Sequence, residues 1–189
     1  LSVVSGQLIL TVTTTGYTVT FDANGGTGSM SNQTASTATA LTANAYTRTG
    51  YAFSGWNTAA NGSGTSYTNG QSYPFTANAT LYAQWTPNNN TITFDGNGFT
   101  GGSTSSQTLA TAATAALNTN GYTRTGYTFS GWATTAGGAV AYADGASYTM
   151  GTANVTLYAV WTLVGSYTVT FNSNGGSGTM SNQTASTAT

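Results

Sequence analysis

Five side chains carry all the formal charge in this chain: Asp22, Asp95, Asp144, Arg48 and Arg124. His, Cys, Lys and Glu are absent. No ordinary general base stands ready to activate a serine or threonine hydroxyl, and no imidazole or thiolate set is present to hold zinc. Asp22 and Asp95 occupy matching places in two copies of one sequence, so their recurrence reflects duplication rather than a carboxylate pair built for acid–base work. This inventory reads as non-enzymatic, with no cofactor.

Asp22-Ala23-Asn24-Gly25-Gly26 resembles the first half of a calcium loop. Such a loop needs further oxygen ligands and a closing bidentate glutamate. Without any glutamate the segment reads as a strand-end turn, because Asp, Asn and Gly accept turn geometry at low cost. Arg48 and Arg124 also recur at matching positions. The reading favours an intramodule role: an Asp22–Arg48 and Asp95–Arg124 contact, or an arginine stacked on a tyrosine. A ligand-gripping arginine is the alternative. The third copy carries Asn172 in place of the aspartate.

Aromatic rings beside asparagines could also bind glycan. The less regular Tyr46, Tyr67, Tyr73, Tyr142 and Tyr148 are the candidates for that. Asn32, Asn61, Asn78, Asn89, Asn154 and Asn182 each begin an Asn-x-Ser/Thr triplet, the acceptor pattern for N-linked sugar.

The elements that position these groups come in repeats. Tyr17–Thr39 (YTVTFDANGGTGSMSNQTASTAT) returns almost letter for letter at Tyr167–Thr189, and a looser copy begins at Asn90. RTGYAFSGW (Arg48–Trp56) matches RTGYTFSGW (Arg124–Trp132), and ATLYAQWT (Ala79–Thr86) matches VTLYAVWT (Val155–Thr162). A period of about 75 residues marks an array of small modules. The division is a strand-like lead segment or the end of a preceding domain at 1–16, module 1 at 17–86, a linker at 87–90, module 2 at 91–162, a linker at 163–166 and an incomplete third module at 167–189. The expectation is that the polypeptide continues, or that a neighbouring subunit completes the third module, with residues 1–16 able to pair in trans.

Within a module, Tyr17–Phe21 alternates strictly, with Tyr17, Val19 and Phe21 on one face. Further strands are expected at about 51–57 and 80–86, and in the second module at 91–94, 127–132 and 156–161. In the strand at 51–57 simple alternation puts Trp56 opposite Tyr51 and Phe53. One turn of helix is expected near Gln71–Phe75, limited by Pro74. The fold class is therefore mainly β, with a small α+β variant open. Modules this small bury a modest core. The aromatic side chains are its expected anchors: Trp56, Trp85, Trp132, Trp161, Phe21, Phe94 and Phe171.

Charged residues are 3% of the chain and the net charge is −1, so neither an anionic partner nor nucleic acid finds a field to follow. Hydrophobic residues at 39% and aromatics at 12%, set in strand patterns, argue for folded modules over disorder. No apolar run approaches the ~20 residues of a transmembrane helix. A folded surface with so little like-charge repulsion favours self-association or a coat of sugar.

The order F-D-x-N-G-G, R-x-G-Y-x-F-x-G-W, T-L-Y-A-x-W resembles the Listeria–Bacteroides repeat, also called the internalin B repeat. Phe21–Gly26, Arg48–Trp56 and Thr80–Trp85 carry it in module 1. Module 2 keeps Phe94-Asp95, Asn97-Gly98, Arg124–Trp132 and Thr156–Trp161, with Phe99 where the second glycine should be. The resemblance implies β-grasp-like modules and a setting in secreted or cell-surface bacterial proteins, as stalks and interaction surfaces. Together these readings give a non-enzymatic extracellular structural protein forming a stalk, fibre or filament. The alternative is an adhesin that recognises a glycan or a host protein.

Overall fold

The computed structural model describes residues 2–4, 7–9 and 15–186. Two short strands open the chain, β1 (Ser2–Val4) and β2 (Gln7–Ile9), paired antiparallel with Val3 opposite Leu8. Residues 1, 5, 6 and 10–14 of the strand-like lead segment lie outside the described ones.

The first module runs β3 (Tyr17–Asp22), β4 (Gln33–Ala35), β5 (Thr39–Ala40), β6 (Tyr51–Asn57), β7 (Ser66–Tyr67), β8 (Ser72–Tyr73) and β9 (Ala79–Pro87). Five of these form one sheet in the order β4-β3-β9-β6-β7. The threonine/apolar alternation of β3 buries Val19 and Phe21 on the core face. Strand β9 does the same with Leu81 and Ala83. The two strands lie side by side and parallel, Val19 opposite Ala79 and Asp22 opposite Tyr82. Parallel neighbours need a crossover connection. Here loops and short antiparallel pairs such as β5 with β8 supply it.

Two expectations are corrected here. Gln71–Phe75 forms no helical turn: Ser72–Tyr73 is strand β8, and Phe75 sits in the core at φ +48°, outside helical geometry. Trp56 does not point away from Phe53. A bulge between Phe53 and Gly55 inserts one residue, so that Phe53 faces Trp85 and Trp56 faces Ala83 across the same ladder. Gly55 takes φ +143° there, and a methyl group on it would meet the Tyr67 carbonyl oxygen at 2.8 Å. The bulge thus turns both aromatics into one core, with their ring centroids 5.1 Å apart.

The second module repeats the plan with β10 (Asn89–Asp95), β11 (Gly101–Gly102), β12 (Gln107–Ala110), β13 (Thr114–Ala116), β14 (Tyr122–Thr123), β15 (Tyr127–Ala133), β16 (Ser147–Thr149) and β17 (Val155–Leu163). Its main sheet is β12-β10-β17-β15, again with the first and last strands parallel and Phe94 opposite Leu157. The bulge recurs between Phe129 and Gly131. Ile92, Phe94, Leu117, Trp132, Met150, Leu157 and Ala159 make its core. Only Asn88 separates β9 from β10, so the strands occupy most of the segment read as a linker.

A last hairpin pairs β18 (Ser166–Val169) with β19 (Gln183–Ser186). Its register, Tyr167 opposite Ala185, copies that of β3 with β4, where Tyr17 faces Ala35. Val169 is 54% exposed, whereas its counterpart Val19 is wholly buried beneath the sheet's neighbours. The described residues contain strands and no helix.

Candidate functional site

The turn that follows β3 gathers most of the residues singled out in the sequence. Asp22 Oδ1 accepts the backbone N–H of Asn24 at 2.7 Å, closing a local Asx turn. Asn24 stands at φ +46°, a left-handed conformation that asparagine tolerates better than most residues. Its Nδ2 donates to the carbonyls of Ala60 and Ala83, both at 2.8 Å, tying the turn to a loop and to β9. Trp85 Nε1 donates to Ala23 O at 3.0 Å, and the Tyr46 hydroxyl to Phe21 O at 2.8 Å.

The same bonds recur in the second module. Asn97 N donates to Asp95 Oδ1, and Asn97 Nδ2 to Ala136 O and Ala159 O at 2.8 and 2.9 Å. Trp161 Nε1 reaches Gly96 O at 2.8 Å, and the Tyr122 hydroxyl reaches Phe94 O at 2.7 Å. In the last hairpin Asn172 Oδ1 accepts from Asn174 N at 2.9 Å. A neutral amide oxygen therefore closes the turn as a carboxylate does. What the position requires is an acceptor, which weighs against a cation loop. Among the described residues no three acidic, His or Cys side chains gather in a way that could hold a metal.

Arg48 adopts the stacked arrangement: its guanidinium carbon lies 4.0 Å from the centroid of the Tyr51 ring. A methyl group on Gly25 would lie 3.6 Å from that carbon, so the arginine bridges the turn and the start of β6. Arg124 repeats this over Tyr127 at 4.1 Å and beside Gly98. Asp22 and Asp95 are engaged with backbone N–H groups instead of meeting these arginines in an ion pair. A charge–ring contact holds the guanidinium without needing a carboxylate.

The aromatic anchors divide into two kinds. Trp56 and Trp132 are fully buried, ringed by Phe21, Tyr46 and Phe53 in one module and by Phe94, Tyr122 and Phe129 in the other. Trp85 and Trp161 are half-buried and hold the turn through their N–H groups. Phe21 and Phe94 belong to the cores, whereas Phe171 is 40% exposed on the last hairpin. Each core also holds an indole N–H without an acceptor, at Trp56 and Trp132. The matching geometry makes this a property of the repeat.

The tyrosines read as glycan candidates all make packing contacts. Tyr46 and Tyr73 are buried, Tyr67 packs edge-on against Tyr73, and Tyr142 against Tyr148. Burial, and secondarily the Asp22 charge, raises the Tyr46 phenol above its ordinary value. Burial followed by the neighbouring tyrosine does the same for Tyr73 and Tyr148. Tyr46 is a repeat position, since Tyr122 takes its place in module 2.

The acceptor asparagines Asn32, Asn61, Asn78, Asn89, Asn154 and Asn182 are all exposed. Three of them have structural partners: Asn78 Oδ1 accepts from Thr18 N and Asn154 Oδ1 from Thr91 N, both at 2.8 Å, and Asn61 Oδ1 accepts from the backbone N–H and the hydroxyl of Ser63. Other polar residues, beyond those expected from the sequence, carry as much structure. Asn57, 1% exposed, donates to Gly62 O, Gly64 O and Ser66 Oγ, organising the loop before β7. Gln33 and Gln107 each bridge two backbone groups, at Ala40 and Thr42 and at Ala116 and Asn118. Their signal was the recurring Gln-Thr pair at the start of β4 and β12.

Comparison with known proteins places this geometry in context. The Listeria–Bacteroides repeat domain matches residues 17–84, 91–160 and 167–189. Two proteins of Evansella cellulosilytica are similar over part of the chain. One, named "Putative Gly-rich membrane protein", is 42% identical over 133 residues, 66% of this chain and 15% of that protein. The other, named "Putative membrane protein", is 40% identical over 88 residues, 44% of this chain and 13% of that protein. The chain thus spans a small fraction of the relatives it matches. No solved structure matches it. No helix among the described residues is long and apolar enough to cross a membrane.

Proposed function

Because this chain belongs to the Listeria–Bacteroides repeat domain family, we propose that it is a non-enzymatic stretch of a bacterial surface protein whose modules serve as load-bearing stalk units. One observation carries the proposal: the first and last strands of each module are parallel neighbours, β3 with β9 and β10 with β17. Tension entering a module through its first strand and leaving through its last pulls these two in opposite directions. The ladder bonds between them are then loaded together in shear, rather than one after another from an end.

The braced turn supports the same reading. Asp22, Asn24 and Trp85 are engaged in holding the turn after β3 to the loop after β6 and to β9. The membrane-protein names of the relatives and the family itself support a cell-surface location. A surface nearly free of charge and the exposed Tyr167, Val169 and Phe171 support self-association into fibres. Negative-stain microscopy of material taken from the native surface tests this part. Linear or ordered polymers are expected, and dispersed single particles would contradict it.

A further inference from the structure

The second module carries a cleft of about 400 Å³ lined by Arg124, Tyr127, Phe129, Trp161 and the threonines 125 and 128. Arg124 is one of two cations in the whole chain. Its guanidinium carbon lies 4.1 Å from the centroid of the Tyr127 ring, and among the described residues none of its N–H groups is engaged in a hydrogen bond or ion pair. A guanidinium anchored on a ring with its N–H groups unengaged is suited to a planar, bidentate oxyanion. The rest of the lining differs in kind: half-buried rings of Phe129 and Trp161 beside threonine hydroxyls. Rings offer an apolar face and hydroxyls offer paired donor and acceptor sites, a combination suited to a sugar ring with its C–H face and its hydroxyl rim.

We propose that the Arg124 cleft is a binding subsite for a carboxylate-bearing saccharide, with the carboxylate on the guanidinium edge and the sugar ring against Phe129 and Trp161. The proposal does not depend on the stalk reading, since it rests on the cleft alone. Asp95, the nearest acid in the turn sequence, is already committed to Asn97 N and leaves the arginine charge unneutralised by a hydrogen-bonded partner. Charge selection follows: Arg124 is the one cationic side chain of the second module, and so the group there that favours an anion.

The test is NMR titration of the full 189-residue chain with trigalacturonate, followed through backbone amides and the Trp161 indole N–H. Shifts confined to Thr125–Phe129 and Trp161 are expected. The methyl ester of the same trisaccharide, R124Q and 0.5 M salt should each weaken binding by about tenfold, as loss of a charge-assisted pair implies. R48Q, in the other module, should leave these shifts unchanged. R124K retains the charge but not the fork, and should bind several-fold more weakly if R124Q is too unstable to measure. The proposal is overturned by equal binding of the ester, by unchanged binding to R124Q or R124K, or by no saturable shift at millimolar ligand. Acetate, inorganic phosphate or tri-aspartate binding as tightly as the saccharide would likewise overturn it, in favour of a bare anion or an acidic peptide.

Discussion

The ring of Phe99 lies over Gly96: a methyl group placed on that glycine would come within 2.5 Å of the ring's Cδ1. In the first module the two positions are Ala23 and Gly26, and there the conflict is reversed. A methyl group on Gly26 would come within 2.7 Å of Trp85 Cζ2 and 3.0 Å of Thr47 O. One small residue is needed at the turn in each case, at opposite ends of the pair. In the second module the ring gained at Phe99 packs on Tyr122, with centroids 4.8 Å apart.

This pair makes a sharp prediction about coupling. Gly96→Ala should destabilise the second module by about 1–3 kcal/mol through overpacking. Adding Phe99→Gly should recover a good part of that loss, although each single change is unfavourable. A double-mutant cycle read by urea denaturation checks it, and additive effects would show that the two positions are independent.

The Asx turn predicts a graded response at Asp22. Asp22→Asn should change stability by less than about 0.5 kcal/mol, because Asn172 closes the same turn in the last hairpin. Asp22→Ala should cost about 1 kcal/mol by stranding the Asn24 N–H. Thermal melts with and without millimolar calcium should superimpose for all three proteins. A calcium-dependent rise in Tm that Asp22→Ala abolishes would restore the cation reading.

The two classes of tryptophan should separate by energy. Trp56→Ala leaves a large void at the centre of the first core and should cost about 3–5 kcal/mol, enough to unfold that module. Trp85→Phe keeps most of the packing and loses the N–H bond to Ala23 O, for about 1 kcal/mol. Near-equal losses in chemical denaturation would contradict the division into core and brace.

Stability should be flat from about pH 5 to pH 9, since only carboxylates and tyrosines titrate among the side chains. Above that range the sign is set by Tyr46, Tyr73 and Tyr148. Their phenols are raised in the fold by burial first. The fold therefore favours their neutral forms, and the stability they contribute is complete below the ordinary phenol value and lost as pH rises through the folded one. Melts from pH 8 to pH 12, with phenolate absorbance recorded in parallel, should show unfolding and late ionisation together. Ionisation of all the tyrosines near pH 10 without loss of structure would contradict it.

Much of the architecture was legible because repeats and alternation report directly on what faces a core. The threonine/apolar beat of Tyr17–Phe21 and of Thr80–Trp85 placed strands within a residue or two of β3 and β9. Alternation fails where the pleat is broken, so the bulge at Gly55 reversed the reading of Trp56. Strands of two residues, such as β8, have no period to detect, and Phe75 at positive φ looked like the end of a helical turn. The brace was harder still. Asn24 looks like an ordinary turn residue in one dimension, and its two acceptors lie 36 and 59 residues away. Arg48 was readable as recurrent, but whether it met Asp22 or Tyr51 depended on the path of the loop between them.

Pulling the chain by its two ends in a force spectrometer tests the load-bearing claim most directly. The account predicts two separate unfolding events, one per complete module, each releasing roughly 200–250 Å of extended chain for about 70 residues. Asn24→Ala and Asn97→Ala should each lower the force of one event and leave the other in place. Extension without resolved force peaks, or peaks unchanged by both substitutions, would contradict it.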